Sequence, residues 1–392
     1  MSQKLINHSP DLKRLKDEGY AIEVKHGFAL VHDIPYANAQ KEVRFGTLVS
    51  DLNLSGDVTT TPKTHVIYFI GEQPCKKDGA VIPSIEHGIS INQKLAEGLV
   101  VNHSFSNKPP EGYANYYEKF TRYIEIIMAP AQSMDQSVDP RTRRVFESHD
   151  DPNLHYMDTN SSRAKITAIA DKLRHLKIGI IGLGGTGSYI LDFVSKTPVA
   201  EIHLYDGDVF LQHNAFRAPG APSLAQLHER NSKVDYLLGI YQNMHKNIFA
   251  HSEYLDDTNL DRILAMDFVF ISVDNGAMKR KIIDKLTVHQ KPFIDVGIGL
   301  QVEGDLLVGD ARVTTGIPGK YDHVYDRISF VDGEDDAYST NIQIAELNAL
   351  NAAMAVIKWK KHYGFYFDYT KANSHVYNIA SGDVTNADIF KA

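Results

Sequence analysis

Between Ala21 and Ile70 the apolar residues come in short stretches, AIEVKHGFALV, VRFGTLVSDLNL and THVIYFIG, broken by Asp33-Ile34-Pro35-Tyr36 and Ser55-Gly56-Asp57. Stretches of this length, rich in β-branched and aromatic residues, predict strands joined by turns. Ahead of them, Leu12 and Leu15 stand among charges between Pro10 and Gly19, which predicts one short amphipathic helix. Pro74, Gly79, Pro83 and Gly88 predict loops. Tyr117, Phe120, Tyr123, Ile124 and Ile127 then recur at spacings of three and four, which predicts a helix over 113–128 laid on the strands. Residues 132–160 are polar, contain Asp139-Pro140 and Asp151-Pro152, and read as a linker.

The pattern changes at Leu176. Ile178, Ile180 and Ile181 form the apolar run of a strand covered on both faces; Gly182, Gly184, Gly185 and Gly187 come next, then a helical face of Ile190, Phe193 and Val194. Pro198 ends that helix, and Ile202, Leu204 and Tyr205 open a second strand that closes in Asp206-Gly207-Asp208. This is a βαβ unit with its glycines at the first turn. Further on, 224–249 reads as largely helical, 268–273 as a buried strand, 277–288 as a helix and 293–297 as a strand. Such alternation predicts a doubly wound parallel sheet. From Val302 to Asp332, VEGDLLVGDARVTT and DRISFVD alternate as antiparallel strands do, and an apolar helix is expected from Asn341 to His362. The expected fold is α/β: a doubly wound Rossmann-like sheet with an antiparallel extension over 162–392, preceded by a smaller α+β domain over 1–135 and a linker over 136–161.

The 392 residues suffice for two cores. A formal charge of -8 argues against a nucleic-acid surface as the main function, because phosphate binding needs a basic face. No apolar run is long enough to cross a bilayer and the first twenty residues are too polar for a signal peptide, so a cytoplasmic location is expected. The single cysteine, Cys75, precludes an internal disulfide and a cysteine-rich zinc site.

Glycines between strand and helix let the backbone approach a phosphate and turn its N–H groups, with the helix N-terminus, toward the anion. That feature alone would also suit an NAD- or flavin-dependent oxidoreductase. The residues beyond the turn point elsewhere: DGDVFLQHNAFR places Asn214 and Arg217 after Asp206 and Asp208, Lys233 comes later, and FVFISVDN puts Asp274 after a buried strand. Two acids, an amide, an arginine, a lysine and a glycine turn suit a magnesium-bound triphosphate better than a hydride carrier. A nucleotide-sensing scaffold with a degenerate site is the rival of another class.

On these residues the chain resembles the ThiF/MoeB superfamily, adenylyltransferases related to ubiquitin-activating enzymes. The matching parts are GLGGTG at 182–187, DGDVFLQHNAFR, Lys233 and the pair Asp274-Asn275, within 162–364. The resemblance implies that Asp206 holds the ribose of ATP, that Asn214, Arg217 and Lys233 contact phosphates, that Asp208 and Asn275 adjoin the nucleotide and that Asp274 ligates magnesium. It also implies adenylation of the C-terminal carboxylate of a ubiquitin-like protein with release of pyrophosphate. A homodimer is expected in which an arginine, here Arg163, reaches the neighbouring site. Ala218 stands where the family commonly has glutamine, and the adenylation region lacks both a thioester cysteine and paired CxxC zinc ligands.

Cys75 has two readings, an acyl-accepting nucleophile in a loop with His65, His87 and His103 in the same domain, or an inert half-buried thiol. The first domain also resembles bacterial ubiquitin-conjugating-enzyme-like domains over 20–128, in its strand meander, its flap around GEQPC and its subsequent helix, but has no His-Pro-Asn motif. The favoured alternative is a module that recruits the ubiquitin-like partner; a conjugating enzyme is a further possible partner.

Overall fold

The computed structural model describes residues 2–88, 91–146, 151–330 and 342–389. The chain divides into two compact units, Met1–Pro152 with Tyr156–Asp171, and Asn153–His155 with Lys172–Ala392. Residues 162–171, grouped with the second domain on sequence, thus pack with the first. No described helix is long and apolar enough to cross a membrane.

The first unit opens with α1 (Ser2–His8) and α2 (Pro10–Asp17), where the sequence suggests only the latter. Its strands are β1 (Ile22–Lys25), β2 (Phe28–Ala37), β3 (Val43–Asp51), β4 (Leu54–Ser55), β5 (Val58–Thr59), β6 (Val66–Ile70), β7 (Glu86–Gly88), β8 (Gln93–Ala96), β9 (Leu99–Val101) and β10 (His103–Ser106). An antiparallel sheet of order β1-β2-β3-β6-β10-β7 forms its frame. The expected turn at 33–36 is instead a break in register inside β2, between Val31 and Ile34, with Asp33 at φ 60°. Asp33-Ile34-Pro35-Tyr36 therefore bends a strand without ending it.

Helix α3 (Tyr116–Met134) is capped by Asn115, whose side chain accepts from the Glu118 N–H at 2.9 Å. It buries Phe120, Tyr123, Ile124 and Ile127, as the sequence spacing predicts, against β2 and β3 and beside α2, but the first buried aromatic is Tyr116, and Tyr117 is only half-buried. The opposite face of the sheet is covered by the β8–β9 hairpin, through Leu95, Leu99 and Val101 on Phe28, Leu30, Val49 and Tyr68. Two short helices, α4 (Thr159–Arg163) and α5 (Thr167–Ala170), complete the unit.

One charge lies in this core. Lys119 on α3 is 0% exposed and its Nζ donates to Ser50 Oγ at 2.8 Å. Burial pushes its pKa down to about 8, against a smaller opposing pull from Asp51. Below pH 8 the ammonium is charged in both the folded and unfolded states, and the folded state carries the full desolvation penalty. Above pH 8 the folded lysine loses its proton while the unfolded one keeps it up to about pH 10.5, so stability rises across that window. Lys119→Met is expected to stabilise the protein at pH 7 by about 3 kcal/mol, because moving a pKa by one pH unit corresponds to about 1.4 kcal/mol. The gain over wild type should shrink between pH 8 and 10.5 in thermal or urea unfolding.

In the second unit β11 (Lys177–Ile181), α6 (Gly185–Val194) and β12 (Glu201–Tyr205) form the βαβ unit. They are succeeded by α7 (Gln212–Ala215), α8 (Leu224–Glu229), α9 (Lys233–Tyr241), β13 (Ile248–His251), β14 (Phe268–Ile271), α10 (Gly276–Val288), β15 (Phe293–Glu303), β16 (Leu306–Gly316), α11 (Val324–Arg327), α12 (Ala345–His362), β17 (Ala372–Asn378) and β18 (Val384–Ile389). The eight strands run β13-β12-β11-β14-β15-β16-β17-β18; the first five are parallel and the rest antiparallel. This is the expected Rossmann-like sheet with its antiparallel extension. The chain leaves β11 toward β12 and β13 on one side, then crosses to β14 and β15 on the other. The crevice between β11 and β14 is accordingly the place where such sheets bind ligands.

Several local expectations need correction. The 224–249 stretch is two helices and then β13, which includes Phe249. DRISFVD does not continue the antiparallel strands: Asp326 and Arg327 end the helical turn α11 and Ile328–Phe330 form no strand, while Val331 and Asp332 lie outside the described residues. The last helix starts at Ala345, and Asn341, its expected start, is also outside them. The β17–β18 hairpin carries too few apolar residues to be legible in the sequence. Trp359, fully buried on α12, meets Phe270 of β14 edge-on at 6.0 Å and seals one face of the sheet.

Candidate functional site

At the carboxyl ends of β11 and β14 a cavity of about 720 Å³ opens, bounded by the glycine turn, the Asp206–Asp208 turn, the start of α10 and the middle of β15. Its shape begins with backbone. Gly182 has φ +83°, and a Cβ there would lie 2.3 Å from the Ser272 carbonyl oxygen of the neighbouring strand. At Gly187 a Cβ would lie 1.9 Å from the Gly182 carbonyl oxygen, so the first turn of α6 sits directly on the loop. Gly184 faces open space in the cavity wall. The N-terminal turn of α6 is thereby brought to the cavity with its amides forward.

The turn is braced from two sides. Asp206 Oδ2 accepts the Leu183 N–H at 2.7 Å and its Oδ1 the Asp208 N–H at 2.8 Å, which ties the ends of β11 and β12 together. Its Oδ1, with that one donor, keeps a further lone pair for a ligand. From α12, Asn348 reaches in; its Oδ1 accepts from Thr186 Oγ1 at 2.8 Å, and a Cβ on Gly185 would collide with it.

Cations and acids meet at the next position. Lys233, at the start of α9, donates from Nζ to Asp208 Oδ2 at 2.5 Å and to Asp206 Oδ2 at 3.5 Å. Tyr254 donates its hydroxyl to Asp208 Oδ1, and its ring lies against Gly207. Burial pushes the Asp208 carboxyl up, but the hydrogen bonds from Lys233 and Tyr254 and the charges of Lys233 and Arg217 outweigh this and hold it below the usual carboxylate range. Conversely, the hydrogen bond to Asp208, then burial, pushes Tyr254 up to about 12. Arg217 also lines the cavity, and its buried Nε has no partner among the described residues. Asp274 is exposed at the end of β14, lines the cavity, and has no hydrogen bond or ion pair among the described residues.

Gly182, Gly184, Asp206, Asp208, Arg217, Lys233, Asp274 and Asn275 thus share one cavity wall. Two of the expected contacts have local tasks. Asn214 is buried outside the wall, its Oδ1 accepting the Leu211 N–H at 2.8 Å and its Nδ2 unpartnered among the described residues. Asn275 caps α10 through the Met278 N–H at 2.7 Å. Arg163 is exposed on α4 of the first unit. Cys75, also in the first unit, is 1% exposed, donates from Sγ to the Gln73 carbonyl at 3.3 Å, and burial pushes its pKa up. These are the marks of an inert thiol and weigh against the nucleophile reading. Of the three histidines, His103 is buried and His87 Nδ1 lies 2.8 Å from Ser104 Oγ; among the described residues no cluster of His, Cys, Asp or Glu could hold a metal by itself. Sequence reading missed Thr186, Tyr254, Lys279 and Asn348, all in the wall.

A model of the ThiF family matches residues 160–380, more than half of the sequence. The chain belongs to the ThiF family. Residues 10–159 match a domain of unknown function, DUF6791. Over 140 residues, 35% of its length, this ThiF-family chain is 29% identical to adenylyltransferase and sulfurtransferase uba4 of Aspergillus niger; the match spans only 28% of that relative. Among solved structures, E. coli MccB with MccA-N7isoASN superposes with a TM-score of 0.48 at 16% identity, covering 61% of this chain and 74% of that one. MccB with ATP gives 0.46 at 16% identity, covering 61% and 73%.

Proposed function

We propose that this ThiF-family chain is an adenylyltransferase: it activates a C-terminal carboxylate with ATP, as the first step of a ubiquitin-like conjugation or sulfur-transfer pathway. A carboxylate oxygen attacks the α-phosphorus, the bond from that phosphorus to the bridging oxygen breaks, and pyrophosphate leaves with the electron pair. No proton moves, so the lack of a histidine in the cavity wall is no obstacle. The observation that carries the reading is the meeting, in one crevice, of a glycine turn at a helix N-terminus with Arg217, Lys233 and a free carboxylate. A uba4-type relative named as an adenylyltransferase supports it.

In this reading the amides of α6 and the cations Arg217 and Lys233 hold the phosphates and take up charge as the leaving group departs. Asp206 faces the ribose, and Asp208 holds Lys233 at the nucleotide. Asp274 fits magnesium, because an exposed carboxylate without a partner among the described residues can supply one oxygen while phosphates and water supply the rest. Bound there, the ion would neutralise phosphate charge. The substrate class is a ubiquitin-like protein, a conjugating enzyme is a possible downstream partner, and the working form is a homodimer to which Arg163 of the other copy contributes. The buried Cys75 gives no support to an internal thioester.

Thermal unfolding with added nucleotide provides the first test. ATP with magnesium should raise Tm and NAD should not; the reverse would favour the oxidoreductase. ATP–pyrophosphate exchange with a ubiquitin-like partner is the second, and binding of ATP without exchange would leave a nucleotide-sensing scaffold.

A further inference from the structure

Thr186, in the first turn of α6, lines the cavity. Its hydroxyl has one proton to give and two lone pairs to offer. Asn348 of α12, which is buried, decides where the proton goes. The Asn348 Nδ2 donates to the Arg217 carbonyl oxygen at 3.5 Å, which leaves Oδ1 as the atom facing Thr186 Oγ1 at 2.8 Å. The reversed amide would set two carbonyl oxygens against each other. An amide oxygen only accepts, so Thr186 donates to it, and the hydroxyl turns lone pairs alone toward the cavity. Gly185 belongs to the same arrangement. A Cβ there would lie 2.1 Å from Asn348 Nδ2, so this glycine of the turn makes room for an amide, whereas Gly184 leaves open space for a ligand.

Lone pairs at this point run against the rest of the turn. The amides of α6, Arg217 and Lys233 present N–H groups, which suit phosphate oxygens. A phosphate oxygen set against Thr186 would meet a lone pair and be repelled; a group with a proton to give would be held. Other polar side chains of the wall are committed differently. Asp208 has its oxygens on Lys233 and Tyr254, and Lys279 is ion-paired with the buried Asp295 at 3.7 Å. Magnesium-bound ATP carries O–H donors of two kinds beside its phosphates, the ribose hydroxyls and the waters that magnesium keeps.

We infer that Thr186 is a specificity-determining residue that accepts an O–H donor of the bound nucleotide, a ribose hydroxyl or a metal-bound water, and that Asn348 is the positioning residue that makes it an acceptor. The inference rests on the reading of the cavity as an ATP site and adds to it a contact that selects by the placement of a proton, where Arg217 and Lys233 select by charge.

The test is calorimetric titration of the intact protein with ATP, 2′-deoxy-ATP and 3′-deoxy-ATP, each with magnesium and with EDTA. Thr186→Val keeps the shape of the side chain and removes its hydroxyl. If a ribose hydroxyl is the donor, the preference for ATP over one of the deoxy analogues should fall about fivefold in Thr186→Val, the worth of one hydrogen bond, with the magnesium dependence unchanged. If a metal-bound water is the donor, the magnesium dependence should fall by that amount and the deoxy preference should hold. Thr186→Ser should keep the wild-type values in either case. Asn348→Leu, or Asn348→Ala should the first not fold, frees the hydroxyl proton to turn to a phosphate and should lose part of the same preference; full retention would overturn the part given to Asn348. Preferences and magnesium dependence in Thr186→Val equal to those of wild type would overturn the contact. So would a uniform loss for all three nucleotides with and without magnesium, because a purely structural role of the hydroxyl produces that pattern. Failure of the wild type to bind ATP at all would instead remove the ATP-site reading, and this inference with it.

Discussion

Asp274→Ala is expected to lower ATP–pyrophosphate exchange by about a hundredfold or more, since a metal ion at a transferring phosphoryl group contributes several kcal/mol. Folding should be untouched. The carboxylate is exposed and has no hydrogen bond or ion pair among the described residues, and removing such a side chain changes stability by about 0.5 kcal/mol at most. The decisive measurement is calorimetric titration of ATP with magnesium and with EDTA. Wild type should bind more tightly with the metal, and the variant should show the same affinity in both. A magnesium effect that persists in Asp274→Ala would place the metal ligand elsewhere. Arg217→Ala should reduce exchange by about 10²–10³-fold, as loss of one preorganised charge stabiliser does. Its ATP affinity should retain its magnesium dependence.

The largest effect on stability is expected at Gly187. An alanine Cβ would meet the Gly182 carbonyl oxygen at 1.9 Å; that oxygen is backbone tied to β12 through the Gly182 N–H on the Tyr205 carbonyl, and the Cβ is fixed by the backbone of α6. No side chain can turn aside to make room. Either α6 lifts from the loop or β11 shifts against its neighbours, a cost of about 3 kcal/mol or more, at the upper end of what overpacking produces. For a unit of this size that corresponds to a fall of roughly 10 °C in its unfolding transition. Gly184→Ala should lose less stability, because its Cβ would meet nothing within 4 Å, but should weaken nucleotide binding by intruding on the cavity wall. Equal melting temperatures for Gly187→Ala and wild type would show that the loop yields where the contact says it cannot.

These two glycines also mark how far the sequence could be read. A strand, a glycine turn and a helix are legible because their signals are local: the run Ile178–Ile181, the spacing of Gly182, Gly184 and Gly187, and the face of Ile190 and Val194 lie within twenty residues. Asp206, Asp208, Arg217 and Asp274 are legible by their places after strands, which the parallel sheet brings to one edge. Thr186 and Asn348 are 162 residues apart, and only the packing of α12 on α6 pairs them. Tyr254 comes after β13 with no motif around it. Lys279 reads as one more charge on a surface helix until Asp295 and the cavity are seen beside it. In the first unit the strands are evident from their β-branched runs, yet Asp33-Ile34-Pro35-Tyr36 misleads, because the residues that favour a turn also tolerate a bulge. Cys75 cannot be judged without knowing that its thiol is covered.

The Thr186–Asn348 bond has a consequence for what counts as the smallest working piece of this enzyme. Every motif used to recognise the nucleotide site falls between Gly182 and Asn275, and a fragment cut after α10 would keep all of them. It would lack α12, and with it the side chain that clasps the first turn of α6. Such a fragment would spell the site correctly and be unable to hold it in shape. The boundary of the functional module is set by a clasp from the far end of the chain, well beyond the last residue that any motif names.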